Sequence, residues 1–404
     1  MPGGNDTAGI CKDRPLILHV SGDFPDPFER FKTPVIRQLI ELTGQAFEHR
    51  VVSINRVAPT HGELVRSLIG IDTLSTESRE FEFGTALSYV APGKGVRHRT
   101  NLEQLGRHIA AQIEASDRRP DLLIGHKLTI EGIAVREASR LTGVPYALSI
   151  QGNTDIKILR TRPDLKKHFG EIYHGAKVVF PFAPWALDQV DAMLGKRDGL
   201  THLLPCPTEL DQPQISPPGG DGLISVFHLK NYAAKNLAGL VEAYRRIAAS
   251  GEAPPRLDVI GGGTEEELAQ CKAIAAEFPQ IAFTGKMDRD KLRARMNRAS
   301  GFVMPSLRES FGLVFVEALF AGIPIIHPHG SSVDGYFDQE SFAIGVDARD
   351  PDSIAAAIRL AIENEKSFKQ EIADWQKSER AELFTRNSIS ATFAKGLSGA
   401  LSRP

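Results

Sequence analysis

From Pro15 onward, short runs rich in Val, Ile and Leu alternate with longer segments of helical spacing. That alternation specifies a parallel sheet covered by helices on both faces. In the first half it predicts strands at Leu16–Ser21, Arg50–Ile54, Ala86–Ala91, Asp121–Gly125, Tyr146–Ile150, Lys177–Pro181 and His202–Leu204. The pattern then breaks. Residues 205–222 collect five prolines and three glycines with little apolar periodicity, as expected of a connection between domains. After it the alternation restarts, with strands expected at Leu223–Leu229, Arg256–Ile260, Ile281–Thr284, Gly301–Met304 and Ile323–His327. At 404 residues the chain exceeds one ordinary core, and two domains of roughly 200 residues each are the natural division. The expectation is an α/β protein with two facing Rossmann-like doubly wound domains and a cleft between them, spanning 1–208 and 209–385. A last helix follows in 386–404, spaced by Ile389, Phe393, Leu397 and Leu401.

Residues 305–317 read Pro-Ser-Leu-Arg-Glu-Ser-Phe-Gly-Leu-Val-Phe-Val-Glu, placing Glu309 and Glu317 on either side of a tight turn that opens an apolar helix, expected at Phe311–Phe320. Amides of Phe311, Gly312 and Leu313 would then fall in the first turn, where they lack intrahelical partners and attract a phosphate. Glu317 shares its helical face with Leu313, Val314, Phe320 and Ala321, so its charge is costly unless something polar meets it. A ribose diol would meet it. The plainer reading is a core glutamate paired with a distant Arg or Lys.

Lys230 closes the strand from Leu223, and Lys235-Asn236 opens a helix at Leu237. A lysine at the positive end of a helix dipole is mildly unfavourable, by about 0.3 to 1 kcal/mol, unless an anion lies between them. A pyrophosphate would be that anion; two solvated surface lysines are the alternative. Gly261-Gly262-Gly263-Thr264 follows another strand and lets backbone approach a ligand closely, but Glu266 stands where a dinucleotide fingerprint needs a third glycine. Asp288-Arg289-Asp290 could be taken for a metal motif; Asp288 is better placed as a helix N-cap. No metal site is expected.

The nine-residue Glu309 to Glu317 segment resembles the E-x7-E motif of retaining GT-B glycosyltransferases, particularly family 4, the glycosyl transferases group 1, and the resemblance extends through most of the second half. It implies that Glu309 contacts the donor sugar, that Phe311, Gly312 and Leu313 bind sugar and diphosphate through their amides, and that Glu317 holds the ribose. Lys230 and Lys235 match the cation pair that clasps the diphosphate, although Leu229 and Lys230 replace the family's Gly-Arg. Gly263 falls in a loop near the nucleotide, and Lys286 with Met287 in the segment against the base. The resemblance further implies a final helix returning to the N-terminal domain. It implies a metal-independent hexosyltransferase, without cofactor, that moves a sugar from a UDP- or GDP-sugar co-substrate to a glycan or glycolipid in bacterial polysaccharide assembly. A nucleotide-sugar 2-epimerase and a non-catalytic binding module are the alternatives.

The N-terminal half would receive the acceptor, and there the resemblance thins. His126 and Gln151-Gly152-Asn153-Thr154 stand at strand carboxyl ends, expected to face the cleft, with His126 a candidate catalytic residue or a hydrogen-bonded strand-end residue. Gln151 replaces a histidine common in the family, and Ser21-Gly22-Asp23 stands where a Gly-Gly is familiar. The basic stretch from Lys157 to His168 reads as a solvated face, or as a dock for an anionic lipid-linked acceptor or the inner membrane surface. A formal net charge of −2 gives no reason to expect nucleic-acid binding. Three cysteines without metal spacing, and a charged, proline-bearing N-terminus, suit a cytoplasmic protein.

Overall fold

The computed structural model describes residues 14–60, 76–93 and 95–402. Two sheets organise them. The first contains β1 (Leu16–Ser21), β2 (Glu48–Val57), β3 (Thr76–Phe81), β4 (Gly84–Val90), β5 (Leu122–Gly125), β6 (Tyr146–Ile150), β7 (Val178–Pro181) and β8 (Leu200–Thr201). Their spatial order is β3-β4-β2-β1-β5-β6-β7-β8, parallel except for the β3–β4 hairpin. The second contains β9 (Leu223–Val226), β10 (Leu257–Ile260), β11 (Ile281–Gly285), β12 (Gly301–Val303), β13 (Ile325–Pro328) and β14 (Ala343–Val346). All six are parallel, in the order β11-β10-β9-β12-β13-β14. Strands β5, β7, β10 and β13 are buried along their whole length, as strands covered on both faces must be.

Two strands escape the alternation rule. β3 reads Thr-Glu-Ser-Arg-Glu-Phe, a charged and exposed edge with no apolar face to detect. β14 is four residues long and interrupted by Gly345. The strand expected at His202–Leu204 begins earlier, at Leu200, yet His202 and Leu204 still donate their amides to Val179 and Pro181 of β7.

In each sheet the order reverses beside the first strand, between β1 and β5 and between β9 and β12. Ligand crevices of doubly wound sheets open outside the carboxyl ends of the strands at such reversals. Here the two reversals face each other. The bodies are joined by the 205–222 segment, which is pinned instead of coiling freely: Gln214 N donates to Phe320 O at 2.8 Å and Arg386 N to Asp211 Oδ2 at 2.9 Å. Across the junction Trp185 Nε1 donates to Ser332 O at 2.8 Å and the Tyr336 hydroxyl to Phe182 O at 3.0 Å. The terminal helix, Arg386–Leu401, returns to the first body. There Ser390 Oγ donates to Leu42 O at 2.9 Å and the Phe393 ring meets Phe180 edge-on at 5.0 Å.

Candidate active site

A cavity of about 510 Å³ lies where the two reversals meet. Its first wall carries Asp23 after β1, Lys127 after β5, and Gln151 and Thr154 after β6. Its second carries His228 and Asn231 after β9, Lys235, and Glu309 to Val314 after β12. The residues come from distant parts of the chain because parallel strands deliver all their carboxyl ends to one edge.

The turn between Glu309 and the next helix is sharper than its sequence suggests. The helix runs Leu313–Phe320, so Phe311 and the N-cap Gly312 precede it, correcting the expected start at Phe311. Gly312 adopts φ 77°, and a Cβ there would lie 2.7 Å from the Phe315 ring. Only glycine fits both demands. The unpaired helix-start amides are therefore those of Leu313 and Val314, both lining the cavity, while Phe311 is buried with its carbonyl accepting from Ser332 Oγ at 2.9 Å. Ser332 N also donates to Glu309 O, so the loop that holds Trp185 braces this turn as well.

Lys235 precedes the helix Leu237–Ala249, whose N-cap Asn236 sits in the left-handed region at φ 62° and accepts from Gly239 N. Its ammonium contacts the Glu309 carboxylate inside the cavity. Glu317 lies further along the helix, away from the cavity lining. Its carboxylate accepts from Thr208 Oγ1 at 2.6 Å, and burial raises its pKa against the opposing effects of Thr208 and the Arg289 charge. Lys230, Gly263, Lys286 and Met287 are also outside the cavity lining. They share one carboxyl edge, where Leu229 N donates to Gly262 O and Gly261 N to Gly285 O. Lys230 is exposed. Asp288 caps the helix Arg289–Asn297 by accepting from Lys291 N.

Of its two readings His126 takes the second, a hydrogen-bonded residue at a strand end, and it does not face the cleft. It is fully buried below the cleft, where its Nε2 lies 2.8 Å from His19 Nδ1 and its Nδ1 lies 3.2 Å from Ser149 Oγ. His19 Nε2 continues to His49 Nδ1 at 2.9 Å, and His49 Nε2 to Thr43 Oγ1 at 3.0 Å. Because the Thr43 hydroxyl donates to Leu39 O at 2.8 Å, its oxygen must accept from His49. Neutral imidazoles can then satisfy the chain only as Nε2–H tautomers, ending with Ser149 as donor. Burial, with the charges of Lys127 and His49, lowers the His126 pKa to about 3. The ring cannot reach a substrate.

The adjacent residue does face the cavity. Lys127 pairs with Asp23 and lies 3.6 Å from the fully buried Glu131. Burial alone would pull the Lys127 pKa down, but the charges of Glu131 and Asp23 outweigh it and leave the ammonium held above its ordinary value. Sequence reasoning named Asp23, Gln151 and Thr154 and passed over Lys127, His228 and Asn231. The signal available for Lys127 and His228 was their position just after a strand that flanks an order reversal.

Residues 210–378 match the family model of glycosyl transferases group 1. The match lies within the C-terminal body and covers less than half of the chain. An uncharacterised glycosyltransferase of Methanocaldococcus jannaschii is 27% identical over 160 residues, 38% of this chain and 39% of that protein. The chain thus spans well under half of that relative's length. The sucrose-phosphate synthase of Thermosynechococcus elongatus superposes with a TM-score of 0.66 over 95% of this chain and 98% of its own, at 18% identity. An E. coli structure described as trehalose-6-phosphate bound with UDP-2-fluoro glucose gives 0.64 over 96% and 99%, at 12% identity. These likenesses establish the fold, which is GT-B: two Rossmann-like bodies, with the residues that match the family model in the second. Among the described residues no helix is long and apolar enough to cross a membrane.

Proposed function

We propose that the protein is a retaining glycosyltransferase of the family 4 kind that takes a UDP- or GDP-sugar on its group 1 domain and transfers the sugar to a hydroxyl. The observation that carries this reading is the meeting of Lys235 with Glu309 beside the helix-start amides of Leu313 and Val314, opposite Asp23, Lys127 and Gln151 in one cavity. As the glycosidic bond breaks, negative charge develops on the diphosphate. An ammonium and two preorganised amides stabilise it without reorganisation cost. Glu309, released from Lys235 when the diphosphate arrives, is free to accept the hydroxyls of the transferred sugar. In this reading Glu317, braced by Thr208, accepts from the ribose, and the loops bearing Gly263 and Lys286-Met287 receive the base. No metal is required, because Lys235 and the amides supply the positive charge. Lys230, exposed on the carboxyl edge, supplements them when a ligand draws it in. A glycan or glycolipid in bacterial polysaccharide assembly is the acceptor class, and contact with the inner membrane surface through the basic 157–168 stretch fits a cytoplasmic enzyme.

The test is a thermal-shift screen of UDP-, GDP- and ADP-sugars, followed by diphosphate release and product analysis. A donor at about 100 times its dissociation constant adds roughly 2.7 kcal/mol of stability. Absence of both shift and release across the screen defeats the proposal. Binding without turnover would mark a non-catalytic module, and an epimerised sugar would mark a 2-epimerase.

A further inference from the structure

Resting on the transferase reading above, we infer that the acceptor is an uncharged, hydroxyl-rich sugar unit and not a sugar phosphate, and that Asp23 is the residue that selects it. The first wall of the cavity presents the Asp23 carboxylate, the Gln151 amide and the hydroxyls of Thr154 and Thr33. Its cation among the described lining residues is Lys127, and that ammonium is already committed. It pairs with Asp23, lies 3.6 Å from Glu131, and feels the charge of the buried Asp155. Glu131 is fully buried, with Oε1 accepting from Gly22 N at 2.7 Å and Oε2 without a hydrogen-bond partner. Drawing Lys127 towards a phosphate would leave that carboxylate and Asp23 uncompensated, a strongly unfavourable exchange for a buried pair. A phosphate dianion would meet several carboxylates around one neutralised lysine.

A neutral sugar meets the opposite situation. The Asp23 carboxylate can accept hydroxyl hydrogens, the strongest hydrogen bonds an uncharged sugar can make, while its ion pair with Lys127 holds it in place. Gln151 offers both a donor and an acceptor, and the two threonines can do either. The wall is also rigid. Asp155 is fully buried and accepts from Thr129 N at 2.9 Å, Thr129 Oγ1 at 2.8 Å and Gln151 N at 3.4 Å, tying the loops after β5 and β6 together. Asp26 fixes the loop after β1 by accepting from Phe28 N, Lys32 Nζ and Asn55 Nδ2 at 2.7, 2.7 and 2.9 Å. Asp23 is therefore held at a defined distance from the donor wall, as a residue that positions an attacking hydroxyl must be.

The test uses the full chain with the nucleotide sugars that turn over or are hydrolysed. Glucose, galactose, mannose and N-acetylglucosamine are compared with their 6-phosphates, reading both transfer and change in donor hydrolysis. The neutral sugars should be favoured over their phosphates by at least about tenfold in kcat/KM. Asp23→Asn should raise the KM for the neutral sugar about tenfold, with donor KM within about twofold, and narrow the discrimination against the phosphate. Asp23→Glu should recover part of the loss, which a merely structural role would not produce. Equal or better response to the phosphates, or no response to either set, overturns the inference while donor turnover leaves the transferase reading intact. Absence of turnover and hydrolysis with every nucleotide sugar defeats the transferase reading itself, and this inference with it.

Discussion

Thr208, in the segment that joins the two bodies, donates its hydroxyl to Glu317 Oε1 at 2.6 Å while accepting from Leu210 N at 3.1 Å. A carboxylate has no proton to give, so the hydroxyl hydrogen points to Oε1, which is committed to the protein, and in the proposed reading Oε2 is the oxygen that meets the ribose. Glu317→Ala should weaken donor binding by about 1.5 to 3 kcal/mol, the worth of a charged acceptor. Thr208→Val should cost less, about 1 kcal/mol, through lost orientation. Calorimetric titration of the donor decides the matter: unchanged affinity in a folded Glu317→Ala protein would return this carboxylate to a purely structural role.

The contact between Lys235 and Glu309 places a cation at the mouth of a helix and a carboxylate on the turn beside it. Lys235→Ala should lower kcat/KM by more than about 2 kcal/mol, because transition-state charge on the diphosphate loses its ammonium in the cleft. Activity should persist in EDTA. Complete loss in chelator with recovery on adding manganese would count against a metal-independent reaction and return attention to Asp288 and Asp290.

Much of the architecture was legible because parallel strands buried on both faces must be continuous apolar runs. Leu16–Ser21 and Tyr146–Ile150 coincide with observed strands, each bounded by residues that break the run, Pro15 and Gly22 in one case and Pro145 and Gln151 in the other. What carried no apolar signature was missed, as with the charged edge Thr76–Phe81. At the site, sequence showed which residues stand after strands but not which way they turn. His126 and Lys127 are neighbours in the chain, yet the first enters a core chain of imidazoles and the second faces the cleft. His19 and His126 are 107 residues apart and meet only because β1 and β5 are paired. The start of the helix after Glu309 was misplaced by two residues because the left-handed Gly312 reads as an ordinary helix-entry glycine.

The imidazole chain should give the fold a measurable acid sensitivity. Burial is the main cause that lowers the pKa of His19, of His49 to about 4 and of His126 to about 3, so in this range the unfolded chain binds protons that the native state does not. Stability from each group is complete above the unfolded pKa near 6.5 and is lost as pH falls below it, at up to about 1.4 kcal/mol per pH unit. Comparing wild type with His126→Gln cancels the titrating groups outside the imidazole chain. The variant's deficit should be largest near pH 8 and should shrink between pH 6.5 and 4. Denaturant unfolding that shows a constant deficit over this interval would mean that His126 is protonated in the native state.

The stereochemical outcome distinguishes the remaining mechanisms. In the proposed reaction the leaving diphosphate, held by Lys235 and the amides of Leu313 and Val314, accepts the proton of the attacking hydroxyl on the face from which it departs. An alpha-linked donor should therefore yield an alpha-linked product. An inverting reaction needs a dedicated base on the opposite face, within hydrogen-bond reach of the hydroxyl. His126 is too deeply buried for that task, which leaves Asp23, the carboxylate that lines the cavity on the first wall. One of its oxygens is already engaged by the Lys127 ammonium, an arrangement suited to orienting a hydroxyl. Anomeric coupling in the NMR spectrum of the purified product reads the answer directly. A beta linkage would overturn retention and would assign Asp23 the role of base, with Asp23→Asn then abolishing kcat instead of raising the acceptor KM.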